Sequence, residues 1–230
     1  MEVVGLDGRT GPDRVEFVGE PVGQADTRQP LPPYRREGCA RMASELQGLT
    51  VAFLVAPEGF EQVELTEPWQ AVERAGGSPK LISTKAGEAR GFDHLDRADA
   101  FHVDAGIDAV GPGDFDALVL PGGVANPDFL RTQPKAVEFI RQFFVRGKPV
   151  AAICHALWTL VEADVVRGRQ LTSWPSLRTD LENAGATWVD EAVVVCTAGT
   201  NTLVTSRKPG DLPAFDKALV TEFARAGKNR

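Results

Sequence analysis

The chain lacks the features that mark several large classes of protein. No apolar run approaches the about 18 residues of a membrane helix, and the start, Met-Glu-Val-Val-Gly-Leu-Asp, lacks the basic and apolar segments of a secretory signal. Lys and Arg are not clustered, and a net charge of −7 with a pI near 5.1 argues against a nucleic-acid surface. We therefore expect a cytoplasmic protein with neither nucleic-acid nor membrane partners, which leaves small neutral or cationic molecules open.

Motifs for disulfides, metals and nucleotides are also lacking. The three cysteines, Cys39, Cys154 and Cys196, are an odd number at wide spacing, which fits neither a disulfide framework nor a zinc site and indicates reduced thiols. His94 and His102 have no metal-ligand spacing, so they are interpreted as loop or surface histidines. Neither GxGxxG nor GxxxxGK[ST] occurs. The sequence thus predicts no cofactor and no metal.

The chain divides into a tail and one domain. Residues 1–48 show no sustained helix or strand period and contain the Pro-rich cluster at 29–33, so we predict a disordered N-terminal extension, with Met42 as an alternative translation start. Residues 49–230 alternate regularly between apolar strands and amphipathic helices and show no internal repeat. They are predicted to form one domain.

Alternation of strands and helices predicts a doubly wound α/β fold with a parallel sheet. The run 49–56 is continuously apolar, as in a strand covered on both faces. After a turn at 57–61, a helix places Leu65, Trp69 and Val72 on one face, with Pro68 in its first turn. Further strands are predicted at 79–84, 115–120, 149–153, 187–189, 192–196 and 203–206, helices at 133–146, 155–163, 175–183 and 211–226, and a hairpin within 85–110.

A cysteine and a histidine stand where one predicted strand turns into a helix. The strand 149–153 ends in Cys154-His155, after which a helical pattern begins. A side chain at such a corner is exposed at the carboxyl end of the strand, and the first free N–H groups of the helix favour a thiolate and can bind an oxyanion. The corner therefore predicts a nucleophile. The plainer alternative is that Cys154 is a small buried hydrophobe, as Cys196 is predicted to be.

Two further loops are predicted to meet Cys154 at the carboxyl edge of the sheet. Glu61 follows the first strand, and a carboxyl group beside a thiol can hold a thiolate or move protons. Gly122 and Gly123 follow the strand 115–120, where their backbone N–H groups, with that of His155, can form an oxyanion hole. In the alternative interpretation, Glu61 and Glu64 are solvated first-turn carboxylates and the two glycines only make a turn.

Four motifs, in the same order, resemble the PfpI family of intracellular proteases within the glutamine-amidotransferase-like superfamily, which also contains the parkinsonism-associated protein deglycase. The similarity covers roughly residues 49–226 and implies a flavodoxin-like fold with helices on both faces of the sheet. The motifs are Gly59-Phe60-Glu61-Gln62-Val63-Glu64, Ala117-Leu118-Val119-Leu120-Pro121-Gly122-Gly123, Ala152-Ile153-Cys154-His155 and Val204-Thr205-Ser206-Arg207.

By this resemblance, Cys154 matches the nucleophile, Glu61 the carboxyl group that hydrogen-bonds it, and Gly123 and His155 the oxyanion-hole amides. His155 also matches the catalytic histidine of the protease-like branch, whose acidic partner comes from another subunit. Asp128 is the best positional match for that acid, although the match requires a one-residue gap. The resemblance thus implies a homo-oligomer with the site near the subunit interface.

The chain departs from the family pattern at two places. Ala156-Leu157 replaces the usual Gly-Pro after Cys-His, and Gln62 replaces the common acid after Glu61. Because Ala is less permissive than Gly at a tight corner, we expect a functional site with altered reactivity.

The function implied by the resemblance is stress protection by a cysteine-nucleophile hydrolase or lyase. Small reactive carbonyls such as methylglyoxal and their early protein adducts are preferred as substrates, because a three-carbon aldehyde fits a shallow pocket more easily than a peptide does. An intracellular cysteine peptidase of the PfpI type is one alternative. A non-catalytic oxidation sensor and a structural or chaperone-like module are the others.

Overall fold

The computed structural model describes residues 45–228. Strands β1 to β12 are Thr50–Val55, Glu58–Glu61, Ser78–Ser83, Gly87–Asp93, Asp96–Val103, Ala105–Gly106, Ala117–Leu120, Val150–Ile153, Gln170–Leu171, Thr187–Trp188, Val193–Cys196 and Leu203–Ser206. Helices α1 to α6 are Gln62–Arg74, Ala125–Leu130, Pro134–Val145, Leu157–Glu162, Arg178–Asn183 and Leu212–Lys228. Short 3₁₀ turns span Pro112–Asp114, Cys154–Ala156, Pro175–Leu177 and Pro209–Asp211.

The main sheet has seven strands in the order β11-β12-β8-β7-β1-β3-β6. Every described neighbouring pair is parallel except β11 and β12, which are antiparallel at one edge. This arrangement confirms the predicted doubly wound, mostly parallel α/β fold. The strands β1, β7 and β8 are adjacent, so the loops that follow them open at the same edge of the sheet.

Both faces of the sheet are covered by helices, as the apolar run at 49–56 predicts. Side chains alternate along β1: Val51, Phe53 and Val55 belong to the core beneath α1 and α6. Ala52 and Leu54 belong to the core on the other side, which α2, α3, α4 and α5 complete. Because apolar surface is buried on both sides, the central strands contain almost no polar residues.

Two local predictions along the first βα unit are wrong. The predicted turn at 57–61 contains β2, which pairs in parallel with β4 in a second, three-stranded sheet. The helix α1 begins at Gln62, so Pro68 lies inside it rather than in its first turn. Because proline has no backbone N–H, the helical hydrogen bond to the carbonyl of Glu64 is missing. The helix continues because its apolar face is buried.

The region 85–110 contains the predicted hairpin, formed by β4 and β5. Its two strands join β2 in the smaller sheet, so the hairpin tip at residues 93–96 lies beside the end of β2. The loop expected after β7 contains the short helix α2. A helix of six residues is too short to produce a recognisable helical period.

Residues 1–44 lie outside the described part of the chain, and with them the predictions of a disordered extension and of a start at Met42. Of the last predicted tail residues, Leu46 is fully buried and its N–H donates to Ala75 O at 2.9 Å. Packing of the domain therefore includes Leu46, three residues before the predicted boundary at Leu49. No helix within residues 45–228 is long and apolar enough to cross a membrane.

Candidate active site

Cys154 occupies a sharp corner at the end of β8. Ile153 is still extended, with φ −127° and ψ 149°, whereas Cys154 has φ 62° and opens the 3₁₀ turn that leads into α4. A positive φ is uncommon for a residue with a Cβ and is stable only when its surroundings enforce it. Here the N–H of Trp174 donates to Cys154 O at 3.2 Å and helps to fix the corner.

Ala156 does not disturb the corner. Its φ of −52° and ψ of −26° are helical, and Leu157 is helical too, with φ −65° and ψ −16°. The only left-handed residue of the turn is Cys154 itself. The replacement of the family's Gly-Pro by Ala156-Leu157 therefore requires no strained backbone at these two positions.

Several polar groups converge on the Cys154 sulfur. The backbone N–H groups of His155 and Gly123 donate to it, and the carboxyl group of Glu64 interacts with the thiol. The side chain is 6% exposed. Burial is the largest cause that raises the pKa of Cys154, the nearby charge of Glu64 raises it further, and the two N–H groups oppose both.

The carboxyl partner of Cys154 is Glu64, and the prediction that Glu61 has this role is wrong. Glu64 is fully buried in the first turn of α1, where its Oε2 accepts the N–H of Gly122 at 2.9 Å. Its Oε1 is also buried, and no backbone N–H among residues 45–228 donates a hydrogen bond to it. Burial raises the pKa of Glu64 from 4.5 to about 8, and the charge of Glu61 raises it further.

Glu61 faces the hairpin tip instead. It is the last residue of β2, is 9% exposed, and accepts the N–H of His94 on Oε2 at 3.1 Å. Its own N–H donates to Gly122 O at 3.3 Å. The low exposure of both Glu61 and Glu64 also excludes the interpretation of these residues as solvated first-turn carboxylates.

The glycine pair is required by close packing. Gly123 has φ 83°, and a Cβ there would lie 2.5 Å from Gly59 O and 2.7 Å from Glu61 N. A Cβ on Gly122 would lie 2.5 Å from Glu64 Oε2 and 2.7 Å from Cys154 Cβ. Only residues without a side chain allow the backbone to approach both the carboxyl group and the thiol.

Asn126 connects the glycine loop to the end of β1, and no sequence pattern identified it as a site residue. It is fully buried, its Oδ1 accepts the N–H of Ala56 at 2.7 Å, and its Nδ2 donates to Pro121 O at 2.8 Å and Gly122 O at 3.1 Å. An Asn three residues after a glycine pair is a weak signal by itself. Its role depends on contacts across 70 residues of sequence.

His155 packs between two tryptophans beside the thiol. Its ring stacks on Trp174 at 5.6 Å and meets the edge of Trp158 at 5.3 Å. Its Nδ1 lies 3.2 Å from Cys154 Sγ. Burial lowers the pKa of His155, which favours the neutral imidazole at neutral pH.

Asp128, like Glu61, is a predicted site residue that the fold does not bring to the thiol. It lies exposed on α2, and among residues 45–228 it makes no hydrogen bond or ion pair with Cys154 or His155. A role for Asp128 through another subunit stays a prediction. Cys196 is buried at the end of β11, in agreement with its predicted place in the core.

Comparison with known proteins identifies the family of this chain. The model of the DJ-1/PfpI family matches residues 49–222. Protein/nucleic acid deglycase 2 of Escherichia coli is 43% identical over 167 residues, which are 73% of this chain and 93% of that protein. A putative cysteine protease of Bacillus subtilis, YraA, is 40% identical over 73% of this chain and 94% of its own.

A solved relative shares the fold. The crystal structure of Drosophila melanogaster DJ-1beta superposes with a TM-score of 0.66 and 28% identity, covering 75% of this chain and 90% of that one. The elements that carry Cys154, Glu64 and Gly123 all lie within the span that the family model matches. The chain belongs to the DJ-1/PfpI family.

Proposed function

We propose that this protein is a cysteine-dependent deglycase that acts on small α-oxoaldehydes and on their early adducts with proteins. The observation that carries the proposal is the convergence of Glu64 and the N–H groups of Gly123 and His155 on Cys154 Sγ. The curated relatives support the substrate class, because several at 40–43% identity bear the name deglycase. Cys154 is the nucleophile in this proposal, and Glu64 replaces Glu61 as its acid.

The reactive form of the pair holds one proton between Cys154 and Glu64, although burial by itself favours the protonated thiol. A carboxylate and a thiolate side by side in a buried site would repel each other, so one of the two groups stays protonated. We place the proton on Glu64, because the N–H groups of His155 and Gly123 already stabilise negative charge on sulfur. Oε1 of Glu64 is the carboxyl oxygen without another partner and can donate the proton to the thiolate.

The reaction begins with attack of the Cys154 thiolate on the aldehyde carbon of an α-oxoaldehyde. The new hemithioacetal oxygen carries negative charge, which the N–H groups of Gly123 and His155 stabilise as they leave the sulfur. Transfer of a proton from the former aldehyde carbon to the neighbouring carbon gives a thioester, with Glu64 or neutral His155 moving the proton. Water then releases a 2-hydroxy acid and the thiolate.

Peptide hydrolysis is the second candidate, favoured by the 3.2 Å contact between Cys154 Sγ and His155 Nδ1. One relative, YraA, is named a putative cysteine protease. A cysteine-histidine pair of this kind needs a third group that orients the imidazole. Asp128 of another copy would supply it in a homo-oligomer with the site near the interface, and light scattering of the purified protein tests for that oligomer.

The test compares two substrates and three variants. Methylglyoxal loss with lactate formation, and release of a fluorogenic peptide, are each measured for wild type, Cys154→Ser, Glu64→Gln and Glu61→Gln. We expect lactate formation to disappear in Cys154→Ser and to fall about 100-fold in Glu64→Gln, with a clearly smaller loss in Glu61→Gln.

Three outcomes would contradict the proposal. Cysteine-dependent peptide release without lactate formation would favour the peptidase. Stoichiometric oxidation of Cys154 by peroxide without turnover of either substrate would favour an oxidation sensor. A larger loss in Glu61→Gln than in Glu64→Gln would move the acid back to Glu61.

A further inference from the structure

The tip of the β4–β5 hairpin places three metal-binding groups next to one another. One carboxylate oxygen of Glu61, one of Asp93 and a ring nitrogen of His94 lie within 4.8 Å of each other. Two of them, Asp93 Oδ1 and His94 Nδ1, are 2.8 Å apart. Tetrahedral zinc with ligands at about 2.1 Å separates its ligand atoms by about 3.4 Å, so small side-chain rotations would bring all three onto one ion.

Glu61 contributes a largely buried carboxyl group that pairs with no Lys or Arg among residues 45–228. It is 9% exposed. Arg97, a cationic side chain of the same hairpin, pairs with Glu58 instead. Buried carboxylates are ordinarily paired with a cation or coordinate a metal. The group that faces Glu61 here is the exposed Asp93–His94 pair, which adds a second carboxylate.

The orientation of Glu61 is fixed in the way that metal-ligating carboxylates are usually fixed. Its Oε2 accepts the backbone N–H of His94 at 3.1 Å, whereas its other oxygen makes no hydrogen bond among the described residues. Hydrogen bonds to a ligating carboxylate hold it in place, so the side chain loses less conformational entropy when the metal binds. An exposed ion pair of Asp93 and His94 would contribute little to stability. Such a pair also gives no reason for a third, buried carboxylate at the same turn.

We propose that Glu61, Asp93 and His94 form a binding site for a divalent transition metal of the zinc class, with water completing the coordination. The imidazole nitrogen selects zinc, cobalt or nickel over magnesium and calcium, which prefer oxygen ligands alone. The spacing of 61, 93 and 94 in the sequence gives no metal motif, because β2 and the hairpin tip meet only in the fold. The proposed ligands do not include Cys154, and the proposal does not depend on the reaction at the thiol.

The experiment measures Zn²⁺ binding to the full-length protein by calorimetry and Co²⁺ binding by visible absorption. We expect one ion per chain, and at least about tenfold weaker binding in His94→Gly, Asp93→Asn and Glu61→Gln. Glycine at 94 keeps the left-handed turn, where φ is 58°, and removes only the imidazole. His102→Ala is the matched control, since His102 lies on the same hairpin outside the cluster.

Cys154→Ala distinguishes the proposed site from simple capture by the thiol. Binding that survives in Cys154→Ala and shows no sulfur-to-cobalt charge-transfer band supports the hairpin site. Absence of Zn²⁺ binding in the wild type, unchanged binding in His94→Gly, or loss of binding in Cys154→Ala would overturn it. Thermal unfolding shows whether each variant is folded. If Glu61→Gln does not fold, the variants at the exposed positions 93 and 94 test the proposal.

Discussion

Cys154 and Cys196 both stand at the carboxyl end of a strand, and each exposes 6% of its surface. Cys196 continues β11 and is paired with Leu203 in regular antiparallel register. Cys154 has left β8, with φ 62°, and its sulfur faces two backbone N–H groups and the carboxyl of Glu64. Burial alone therefore does not separate the proposed nucleophile from the other buried cysteine. The backbone corner and the polar groups aimed at the sulfur distinguish Cys154.

Removing each thiol in turn gives the largest contrast. Cys154→Ala is expected to lower methylglyoxal turnover by more than about 1000-fold, because no other group replaces the nucleophile. Cys196→Ala is expected to stay within about twofold of wild type, since Cys196 is a buried residue at the end of β11 and has no part in the proposed reaction. Steady-state lactate formation by both variants checks this. Equal losses in the two variants would remove the distinction between the cysteines.

Glu64 lies beside Cys154, and Cys196 has no such partner among the described residues. The proton of Glu64 should make the free energy of unfolding depend on pH. The folded protein holds this proton up to about pH 8, whereas the unfolded chain releases it near 4.5, so stability falls as pH rises between these values. Glu64→Gln cannot ionise and escapes this loss. Its free energy of unfolding relative to wild type should rise by up to about 4 kcal/mol from pH 5 to pH 8.5.

Urea unfolding of wild type and Glu64→Gln across this pH range measures the difference. Glu73→Gln, on the exposed side of α1, is the matched control and should show no comparable trend. A difference that stays flat between pH 5 and 8.5 would show that Glu64 is ionised throughout, contrary to the shared proton.

Gly123 lies in a closely packed loop beside Cys154. Gly123→Ala is expected to lower the free energy of unfolding by about 2 to 3 kcal/mol, because a Cβ would meet Gly59 O at 2.5 Å and φ is 83°. Gly113→Ala is the control, since a Cβ there meets nothing within 4 Å. Thermal melts and turnover of both variants are compared; a Gly123→Ala protein as stable as the control would contradict the close packing.

Substitution of Ala156, which follows the Cys154 corner, is expected to have the smallest effect on stability. Glycine, the residue usual in the family, should destabilise the protein by about 0.5 to 1 kcal/mol, because Ala156 is already helical and glycine only adds freedom to the unfolded chain. Chemical denaturation of Ala156→Gly measures this. A clear gain in stability would mean that alanine strains the turn after all.

The sequence predicted the frame of the site better than its side chains. Apolar runs such as 115–120 and 149–153 identify buried strands within two residues, and a strand that ends in Cys154-His155 identifies the corner. Both depend on local pattern alone. The glycine pair was also identified, because a sharp turn after a strand is a local event.

The identity of the acid could not be read in the same way. Glu61 and Glu64 are three residues apart, and which one points at Cys154 depends on β2, a short strand that pairs with β4 some thirty residues later. Once β2 carries Glu61 to the hairpin, the first turn of α1 turns Glu64 inward. Asn126 and the metal-binding groups at the hairpin tip depend on similar contacts between distant segments.

The alkylation rate of Cys154 as a function of pH tests the shared proton most directly. Iodoacetamide labelling of wild type and Glu64→Gln, followed by quantification of the peptide that contains Cys154, excludes signal from the other cysteines. If protonated Glu64 stabilises the thiolate, Glu64→Gln should react more slowly than wild type at pH 6 to 7. Faster reaction of Glu64→Gln would mean that Glu64 is a carboxylate that suppresses the thiolate, and would contradict the proposed site.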